Sequence, residues 1–473
     1  MMATAKSIVR ILRQPILPET RGLLAESWAS LPDQFRTREQ MFGRQGNCCG
    51  ATIGAMPRCD FACRGCYLGE EANHVPAEPV EAIKDQMRRL RTILGNNGNL
   101  QLTDGEVTLR PEEEIVELLR YADEMGLIPM LMTHGDTFRR KPGLLERLVE
   151  GGLREVSIHV DTTMRGRTGA AYKHATREEE LNPLREEFAQ MVRDARRKTG
   201  LPLRCATTMT ITRDNLGGVA DAVRCVVANA DAFTMLSFQP IAQVGRTEAG
   251  LGGGVSVEEL WSEIPRGLRG YVSDKETLLR GEMWLGHQAC NRYVHGFVVK
   301  GQGRAPTFHP LWLKGEDSSE KAIDGYLSRF GGVSYRRDSP PERLARTLAL
   351  VMRAPRFWAT QVIPYFAGLL RRMEPERPAA LALDFFRGRA RADHFNLISH
   401  HFMSAEDLAT PLGQERLAHC VFKLPVGDRF VSMCEVNALG VRDRYYEQIK
   451  VGRRVPLPMT PSGPAPPPTP RPS

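Results

Sequence analysis

The chain has 473 residues, which is longer than one ordinary single-core domain, so we expect a main domain with substantial additions. Its hydrophobic content of 42% and charged content of 25% are typical of a globular protein and exclude a fibrous or wholly disordered chain. The formal net charge of +8 suits an anionic substrate, an acidic membrane surface or RNA, although a solvated basic surface gives the same excess.

The first residues lack the apolar core and the small-residue cleavage site of a secretory signal, so we expect a cytoplasmic protein. The most apolar late segment, from Phe357 to Leu370, is too short to span a bilayer and contains Pro364. Ten cysteines in such a chain indicate metal or redox chemistry more than structural disulfides.

Short apolar runs alternate with amphipathic helical patterns over residues 52–240, which predicts repeated βα units around a parallel sheet. Two of the helices have clear start and stop signals, one between Pro79 and Gly95 and the other between Pro111 and Gly126. The predicted fold class is therefore α/β, with a (βα)6 partial TIM barrel. We expect its strands at residues 52–56, 100–103, 128–133, 155–160, 204–209 and 233–238, with further helices at 183–198 and 216–228.

The pattern changes after the sixth predicted strand. A Gly-rich loop, GRTEAGLGGG, is followed by a capping box that begins a helix at Ser256. The later chain is Arg-rich and mostly helical up to a segment from Cys420 to Cys434, which predicts a hairpin around Gly427 and Asp428. We divide the chain into an extension (1–45), the partial barrel (46–250), a connecting α/β region (251–335), a helical accessory region with the hairpin (336–450) and a disordered Pro-rich tail (451–473).

Three cysteines directly follow the first predicted strand, in the segment RCDFACRGCYLG. Cys59, Cys63 and Cys66 have the spacing C-x3-C-x2-C. Thiolates are the usual ligands of iron-sulfur clusters, and three of them on a four-iron cluster leave one iron open to a substrate or cofactor. The alternative is a structural zinc site, which normally needs four protein ligands. The further zinc ligands would come from Cys48, Cys49 or His74.

The motif and its position at the end of a barrel strand resemble the radical SAM superfamily, over about residues 59–246. In that family three cysteines hold a 4Fe-4S cluster, whose open iron binds the amino and carboxylate groups of S-adenosylmethionine (SAM). The resemblance implies reductive cleavage of SAM to methionine and a 5'-deoxyadenosyl radical, with electrons from a donor such as flavodoxin or ferredoxin. The family often has an aromatic residue before the last cysteine. This chain has Gly65 there and Tyr67 after the cysteine, which leaves the contact to adenine open.

Polar residues follow the ends of the other predicted strands and should face the same opening of the barrel. The second strand ends in TDGE, which resembles the Gly-Gly-Glu element that holds the SAM amino group, although a turn with a solvated glutamate is the alternative. His159 is a candidate for a SAM or substrate contact or a satisfied core residue, and Asn215 is expected to be a helix N-cap. The predicted cofactor contacts are Tyr67, Thr103, Asp104, Gly105, Glu106, His134, Ser157, His159, Asp161, Thr210 and Gln239.

Three cysteines outside the barrel, Cys290, Cys420 and Cys434, are candidates for a second iron-sulfur centre. Burial as inert thiols is the alternative, because a fourth ligand such as Cys48 or Cys49 lies far away in sequence. The segments CVFKLPVGDRFVSMCEVN, SIHVDTT and SFQPIAQVGRT resemble the branch that contains tetraether lipid synthases and enzymes once assigned as pterin methylases. That resemblance implies metal centres beside the SAM cluster.

These observations predict a radical SAM enzyme that functionalises a C–H bond, with a lipid as the first candidate substrate. The alternatives are modification or methylation of a pterin, peptide or RNA, and a non-enzymatic metal scaffold. No aromatic-rich RNA-binding module is visible in the sequence, so nucleic acid is not expected as a partner. The basic, apolar segment 343–372 could rest on an anionic lipid surface through Phe357 and Trp358. A helix pair packed on the barrel and bent at Pro355 and Pro364 is the alternative.

Overall fold

The structure is a computed structural model, and it describes residues 9, 18–48, 50–270, 272, 274–301, 303, 305–426 and 429–452. Cys49, Gly427, Asp428 and nearly all of the predicted Pro-rich tail lie outside these residues. Within the described ranges the predicted α/β architecture is confirmed, because βα units come first along the chain and later elements extend their sheet.

Six parallel strands form the centre of the sheet and lie side by side in chain order. They are β1 (Gly50–Met56), β2 (Asn99–Asp104), β3 (Ile128–Thr133), β4 (Glu155–His159), β5 (Arg204–Ile211) and β6 (Phe233–Pro240). Each predicted strand agrees with an observed one to within two residues at either end. The carboxyl ends of all six strands therefore lie at one edge, where polar loop residues meet.

The helices of the βα units share one hydrophobic core with these strands. Helix α1 (Pro18–Ala29) precedes the first strand, and the helices of the βα units are α2 (Val80–Leu94), α3 (Glu112–Glu124), α4 (Asp136–Arg140), α5 (Leu144–Glu150), α6 (Ala170–Lys173), α7 (Asn182–Thr199) and α8 (Val219–Ala228). In α2, Ile83, Met87 and Leu90 recur at helical spacing and are fully buried, and Gly95 ends the helix with φ of 67°. The short 3-10 helices are Asp33–Phe35, Glu70–His74, Val107–Leu109, Glu178–Leu181 and Leu216–Gly218.

Further strands extend the sheet at both edges. They are β7 (Glu282–Met283), β8 (Asn291–Gly301), β9 (Thr307–Pro310), β10 (Ala390–His400), β11 (Phe422–Val426) and β12 (Arg429–Ser432). At one edge β10 lies parallel to β6 and antiparallel to β8, which also pairs with β7 and β9. At the other edge β11 lies parallel to β1 and antiparallel to β12, so the predicted cysteine hairpin is present. Strands β10 and β11 join the barrel sheet, although the sequence predicted their region as a helical accessory unit.

Helices make up most of the remaining described chain, as predicted for its carboxyl-terminal part. They are α9 (Val257–Gly267), α10 (Lys275–Leu279), α11 (Asp317–Phe330), α12 (Pro340–Arg353), α13 (Pro355–Phe357), α14 (Ile363–Met373), α15 (Pro378–Phe386), α16 (Ala405–Leu408), α17 (Pro411–Ala418), α18 (Met433–Ala438) and α19 (Val441–Lys450). A π-helical turn, Trp358–Val362, joins α13 to α14. Such a turn accommodates Pro364, which lacks a backbone N–H. No described helix is long and apolar enough to cross a membrane.

The predicted lipid contact through Phe357 and Trp358 does not agree with the packing of these helices. Phe357 is 5% exposed and lies in a cluster with Phe330 and Val362, while Trp358 is half-buried against the same cluster. Their rings pack between α11 and the π turn, which agrees with the alternative prediction of a helix pair packed on the barrel. Any surface contact of this region must therefore use other side chains.

Candidate active site

A cavity of about 910 Å³ lies inside the curved sheet and is lined by residues of the barrel strands and of β8 and β10. The cysteine loop lies at one end, where the parallel strands finish. Asn99, Glu155 and Arg204, each the first residue of a strand, lie at the other end. The cavity therefore runs through the barrel from the carboxyl ends of the strands to their amino ends.

The three motif cysteines, Cys59, Cys63 and Cys66, all line this cavity and are half-buried. Their loop is held by the loop after β4, because the Ala62 N–H donates to the carbonyl oxygen of Arg165 at 2.8 Å. Burial raises the pKa of the Cys59 and Cys63 thiols to about 12. Buried thiolates need positive charge beside them, and three on one loop match the cysteine ligand set of a 4Fe-4S cluster with one open iron. The donor set thus fits that cofactor.

Gly65 and Tyr67, which depart from the usual family pattern, are explained by packing. A Cβ at Gly65 would lie 2.1 Å from Cδ1 of Ile241, in the loop after β6, so a larger residue would require the Ile241 side chain to move. The Tyr67 hydroxyl donates to the carbonyl oxygen of Asp104 at 3.0 Å. The tyrosine therefore connects the cysteine loop to the turn after β2.

Asp104 connects the same turn to the carboxyl-terminal helix α19. It has φ of 92°, a backbone conformation that glycine adopts more easily, and its carboxylate pairs with the Arg442 guanidinium and accepts from the Tyr446 hydroxyl at 2.7 Å. The Arg442 guanidinium also lies 4.9 Å from the centre of the Tyr67 ring. A Cβ at Gly54 would collide with this carboxylate. Arg442 and Tyr446 were not predicted from the sequence. The one signal for them was the aspartate in TDGE, whose carboxylate needs a partner when it is buried.

Glu106 does not line the cavity, in contrast to its predicted contact with the SAM amino group. Its carboxylate is fully buried and accepts hydrogen bonds from the Thr133 hydroxyl at 2.7 Å, the Thr108 hydroxyl at 2.6 Å and the His134 N–H at 2.9 Å. These donors are internal to the protein and occupy the carboxylate. The geometry of the described residues therefore gives Glu106 the task of positioning the loop after β3.

Asp161 also lies outside the cavity lining, although it was predicted to contact SAM or substrate. Its carboxylate accepts from the Thr163 N–H at 2.8 Å and from the Thr210 N–H at 2.9 Å. His159 Nε2 lies 3.7 Å from the same carboxylate, and a third of the His159 side chain is exposed to the cavity. Burial lowers the pKa of His159, although Asp161 opposes this effect. His159 is thus a neutral cavity residue, and Asp161 holds the adjoining strand ends.

Asn215 stands at the N-cap position of the 3-10 helix Leu216–Gly218, as predicted, but its side chain makes no capping hydrogen bond there. Its Oδ1 accepts from the Thr212 N–H at 2.8 Å, and its Nδ2 donates to the Thr210 carbonyl oxygen at 2.9 Å and to Glu178 at 3.1 Å. It stabilises the loop after β5. The predicted contacts that do line the cavity are Tyr67, Thr103, Asp104, Gly105, His134, Ser157, His159, Thr210 and Gln239.

Cys59 has two other possible metal-ligating neighbours. Cys59, Asp60 and His134 offer ligand atoms that all lie within 4.8 Å of one another, and His134 Nε2 lies 2.8 Å from Asp60 Oδ1. Neither Cys48 nor His74 belongs to this group. The zinc alternative would therefore use Asp60 and His134 instead of the ligands expected from the sequence, and metal analysis distinguishes it from iron.

Cys48 lies beside the cysteine hairpin. Its thiol donates to the carbonyl oxygen of Val421 at 2.6 Å. Because Gly50 of β1 pairs with Phe422 of β11, Cys48 and Cys420 each stand two residues before paired positions of neighbouring strands. The sheet therefore brings together two cysteines that are far apart in sequence.

Cys290 and Cys434 join these two cysteines. Cys290 accepts from Nε of Arg416 at 3.4 Å. Burial raises the pKa of the Cys434 thiol to about 12, and the nearby thiols of Cys420 and Cys290 raise it further. The three cysteines predicted as a second centre thus lie in one neighbourhood with Cys48, whereas Cys49 is outside the described residues.

The family model of the radical SAM superfamily matches residues 53–224 of the chain. This segment includes the second half of β1, all of β2 to β5, the three motif cysteines and the loops that hold them. Residues 53–224 therefore match a radical SAM superfamily domain, and this match to a family of enzymes argues against a non-enzymatic metal scaffold. Enzymes of this superfamily use a 4Fe-4S cluster and SAM.

Three solved structures show distant similarity. SuiB of Streptococcus suis is 15% identical over 44% of this chain and 42% of its own, with a TM-score of 0.31. The enzyme anSMEcpe with bound AdoMet is 14% identical over 46% of this chain and 57% of its own, with a TM-score of 0.30. The FeFe-hydrogenase maturase HydG of Carboxydothermus hydrogenoformans is 12% identical over 82% and 97%, with a TM-score of 0.32.

The chain thus spans about half the length of SuiB and anSMEcpe. Because the TM-scores are all below 0.5, these similarities do not define the reaction of this chain. Comparison with curated protein sequences gave no match. The lipid-synthase-like branch therefore stays a sequence-based resemblance, and only the superfamily is supported.

Proposed function

We propose that the chain holds a 4Fe-4S cluster on Cys59, Cys63 and Cys66 and cleaves SAM reductively beside it. The observation that carries this proposal is the position of three half-buried thiols on one loop, at the end of a cavity inside the radical SAM domain. When bound, the cluster supplies the electron that converts SAM to methionine and a 5'-deoxyadenosyl radical, which abstracts hydrogen from a substrate C–H bond. A donor such as flavodoxin or ferredoxin provides that electron.

The chain positions SAM with groups that face the cavity near the cysteine loop. The hydroxyls of Ser157 and Thr210, the His159 ring and the Gln239 amide are polar partners for the ribose and carboxylate of SAM. The TDGE turn lies against the cysteine loop, because a Cβ at Gly105 would lie 2.4 Å from the Pro57 carbonyl oxygen. Close backbone packing thus fixes these groups relative to the cysteines.

Anaerobic reconstitution followed by a SAM-cleavage assay tests this function. Replacing Cys59, Cys63 or Cys66 by Ala should abolish formation of 5'-deoxyadenosine, because each removes one of three ligands. Cys225→Ala is the matched control, since Cys225 lies in α8 and does not line the cavity. Zinc in place of iron, or unchanged cleavage in the motif variants, would refute the proposal.

We infer a lipid C–H bond as the first candidate target, with a pterin or a peptide as the alternative. One part of the cavity wall is apolar and includes Met283, Leu285 and Leu327, against which an acyl chain could pack. Another part carries Asn396, which would favour a more polar molecule. Product analysis with each substrate class decides between them.

We also propose a second metal centre on Cys48, Cys290, Cys420 and Cys434. Four thiols from four chain segments, with mutual electrostatic effects among them, match the tetrathiolate set that binds a cluster or zinc. Cys434 and Cys48 also line the cavity, so the centre would lie beside the substrate space.

Finally, we propose peripheral contact with an anionic lipid surface through α12. Leu344, Leu348 and Met352 recur every fourth residue and are 63%, 52% and 67% exposed. They form an apolar stripe on one helix face. Exposed Arg356 and Arg371 lie in the helices that follow, and supply positive charge in the same region of the chain.

A further inference from the structure

The end of the cavity opposite the cysteines is formed by charged residues from two parts of the chain. Glu155 begins β4 and Arg204 begins β5, while the loop between α11 and α12 contributes Arg336. The Nε atoms of Arg204 and Arg336 lie 3.4 and 3.5 Å from the same oxygen, Oε1 of Glu155. These distances give electrostatic attraction without a good hydrogen bond, and Oε1 is buried with no hydrogen-bond partner.

Positive charge exceeds negative charge at this end. Arg343 also lines the cavity and acts electrostatically on Arg204, while its Nε donates to the Asp338 carbonyl oxygen at 3.1 Å. Three arginines thus lie at this end beside the carboxylate of Glu155, whose other oxygen accepts from Asn99 at 2.8 Å. Among the described residues, the polar contacts found for the side chains of Arg204 and Arg336 are these two ion pairs with Glu155. Burial lowers the pKa of Arg204 to about 10, and the neighbouring arginines lower it further although Glu155 opposes them. Such an excess of half-buried cations is costly unless an anion binds there.

The other charged groups nearby do not supply that anion. The Asp338 carboxylate accepts hydrogen bonds from Arg346 Nε at 2.6 Å and from Arg346 Nη2 at 2.9 Å, so it is already paired. Burial, together with Arg204 and other positive groups, lowers the pKa of His394 to about 3, so this cavity residue is neutral. The terminal nitrogens of Arg204 and Arg336 are thus available to a ligand in the cavity.

The length of the barrel sets the distance between the two ends. Glu155 and His159 are the first and last residues of β4, and His159 lines the cavity near the cysteine loop. Four residue steps of about 3.3 Å each correspond to roughly 13 Å along the strand. A ligand that reaches from the arginines to the cysteine end must therefore be elongated.

We infer that the arginines Arg204, Arg336 and Arg343 bind the carboxylate or phosphate of an elongated organic anion, whose opposite end carries the reacting C–H bond. The guanidinium group suits this ligand because its planar donors match the oxygens of carboxylates and phosphates. The part of the inference that concerns the reacting bond rests on the proposed function, whereas the anion site does not. The inference excludes a neutral hydrocarbon as the whole substrate.

Equilibrium binding to the anaerobically reconstituted full chain tests the anion site. The probes are decanoate, decyl phosphate, inorganic phosphate and uncharged decanol. We expect both decyl anions to bind, and Arg336→Gln and Arg204→Gln each to weaken their binding about tenfold or more. Arg120→Gln is the control, because Arg120 is an exposed arginine of α3 that does not line the cavity.

The pattern of binding identifies the source of the anion. If decyl phosphate and decanoate bind through the arginines and inorganic phosphate does not bind, the result supports an amphiphile such as a lipid. If inorganic phosphate binds as well, the result supports a soluble phosphorylated substrate. The inference is overturned if no anionic probe binds, if decanol binds as well as decanoate, or if both arginine variants bind like the parent. SAM cleavage in the same preparations is a separate readout. Its failure together with arginine-dependent binding would count against the proposed function and leave the anion site standing.

Discussion

Glu106 acts through the loop that it holds. Its carboxylate is the acceptor for the Thr133 hydroxyl and the His134 N–H, both buried, so Glu106→Ala leaves these donors without a partner. We expect a loss of about 1–3 kcal/mol in the free energy of unfolding and weaker SAM binding, with the cluster still assembled. Urea unfolding and SAM titration measure the two effects.

Glu106→Gln provides the matched variant for this prediction. The amide keeps one acceptor oxygen, so it should recover part of the lost stability and part of the SAM affinity. If Glu106→Ala bound SAM like the parent, Glu106 would have no part in the SAM site. A loss of affinity without any loss of stability would instead favour direct contact with SAM.

Arg442 is the buried partner of Asp104. Its side chain is 5% exposed, and removing one member of a buried ion pair leaves an unpaired charge. We expect Arg442→Met to lower the free energy of unfolding by about 3–5 kcal/mol, whereas Tyr446→Phe, which removes one hydrogen bond to Asp104, should lower it by only about 1 kcal/mol. Adding Asp104→Asn to Arg442→Met should restore stability in part. An Arg442→Met loss no larger than that of Tyr446→Phe would contradict the importance of the charge pair.

The sequence predicted the site residues whose position depends on local spacing along the chain. Cys59, Cys63 and Cys66 form a short motif after a strand, and the strand-end rule placed Thr210 and Gln239 in the same cavity. Arg442 could not be predicted, because it meets Asp104 across 338 residues of sequence. The buried state of Glu106 was equally hidden, since two of its donors, Thr133 and His134, come from the end of β3 and not from its own turn.

Among the secondary-structure elements, the six parallel strands were predictable because each is a short apolar run between helices. The strand β10 was not, since it lies among helices and alternates core residues such as Phe395 and Leu397 with the cavity residues His394 and Asn396. The pairing of β11 with β1 is a tertiary event without a local signal. That pairing brings Cys420 to Cys48, which favours Cys48, one of the two candidates named from the sequence, as the fourth thiol of the proposed second centre.

We expect iron to remain when the SAM cluster is removed, because the proposed second centre has its own cysteine ligands. A triple Ala variant of Cys59, Cys63 and Cys66 should retain iron and sulfide with an EPR signal that does not respond to SAM. A triple Ala variant of Cys290, Cys420 and Cys434 should lose iron relative to the parent, and Cys48→Ala should lose it as well. Iron content equal to the parent in both of the latter variants would show that these thiols are structural.

The whole molecule combines a basic net charge with apolar side chains exposed outside the barrel. Because Phe357 is buried, replacing Phe357 and Trp358 would mainly disturb packing. The exposed side chains of the α12 stripe, in contrast, can reach a membrane surface. An amphiphile with its anionic head bound at the arginines would connect such a surface with the cavity, since Arg343 belongs to α12 and also lines the cavity.

We therefore expect the full chain to bind vesicles that contain anionic lipid, and to release them as salt increases, because basic residues and an apolar stripe act together. Replacing Leu348 and Met352 by Gln should weaken sedimentation with these vesicles, since both side chains are more than half exposed. Leu412→Gln is the matched control, as Leu412 is 52% exposed on the separate helix α17. Vesicles of neutral lipid should bind less. If the chain ignored anionic vesicles at low salt, or if the Leu348 and Met352 variant bound like the control, the substrate would have to arrive in soluble or carrier-bound form.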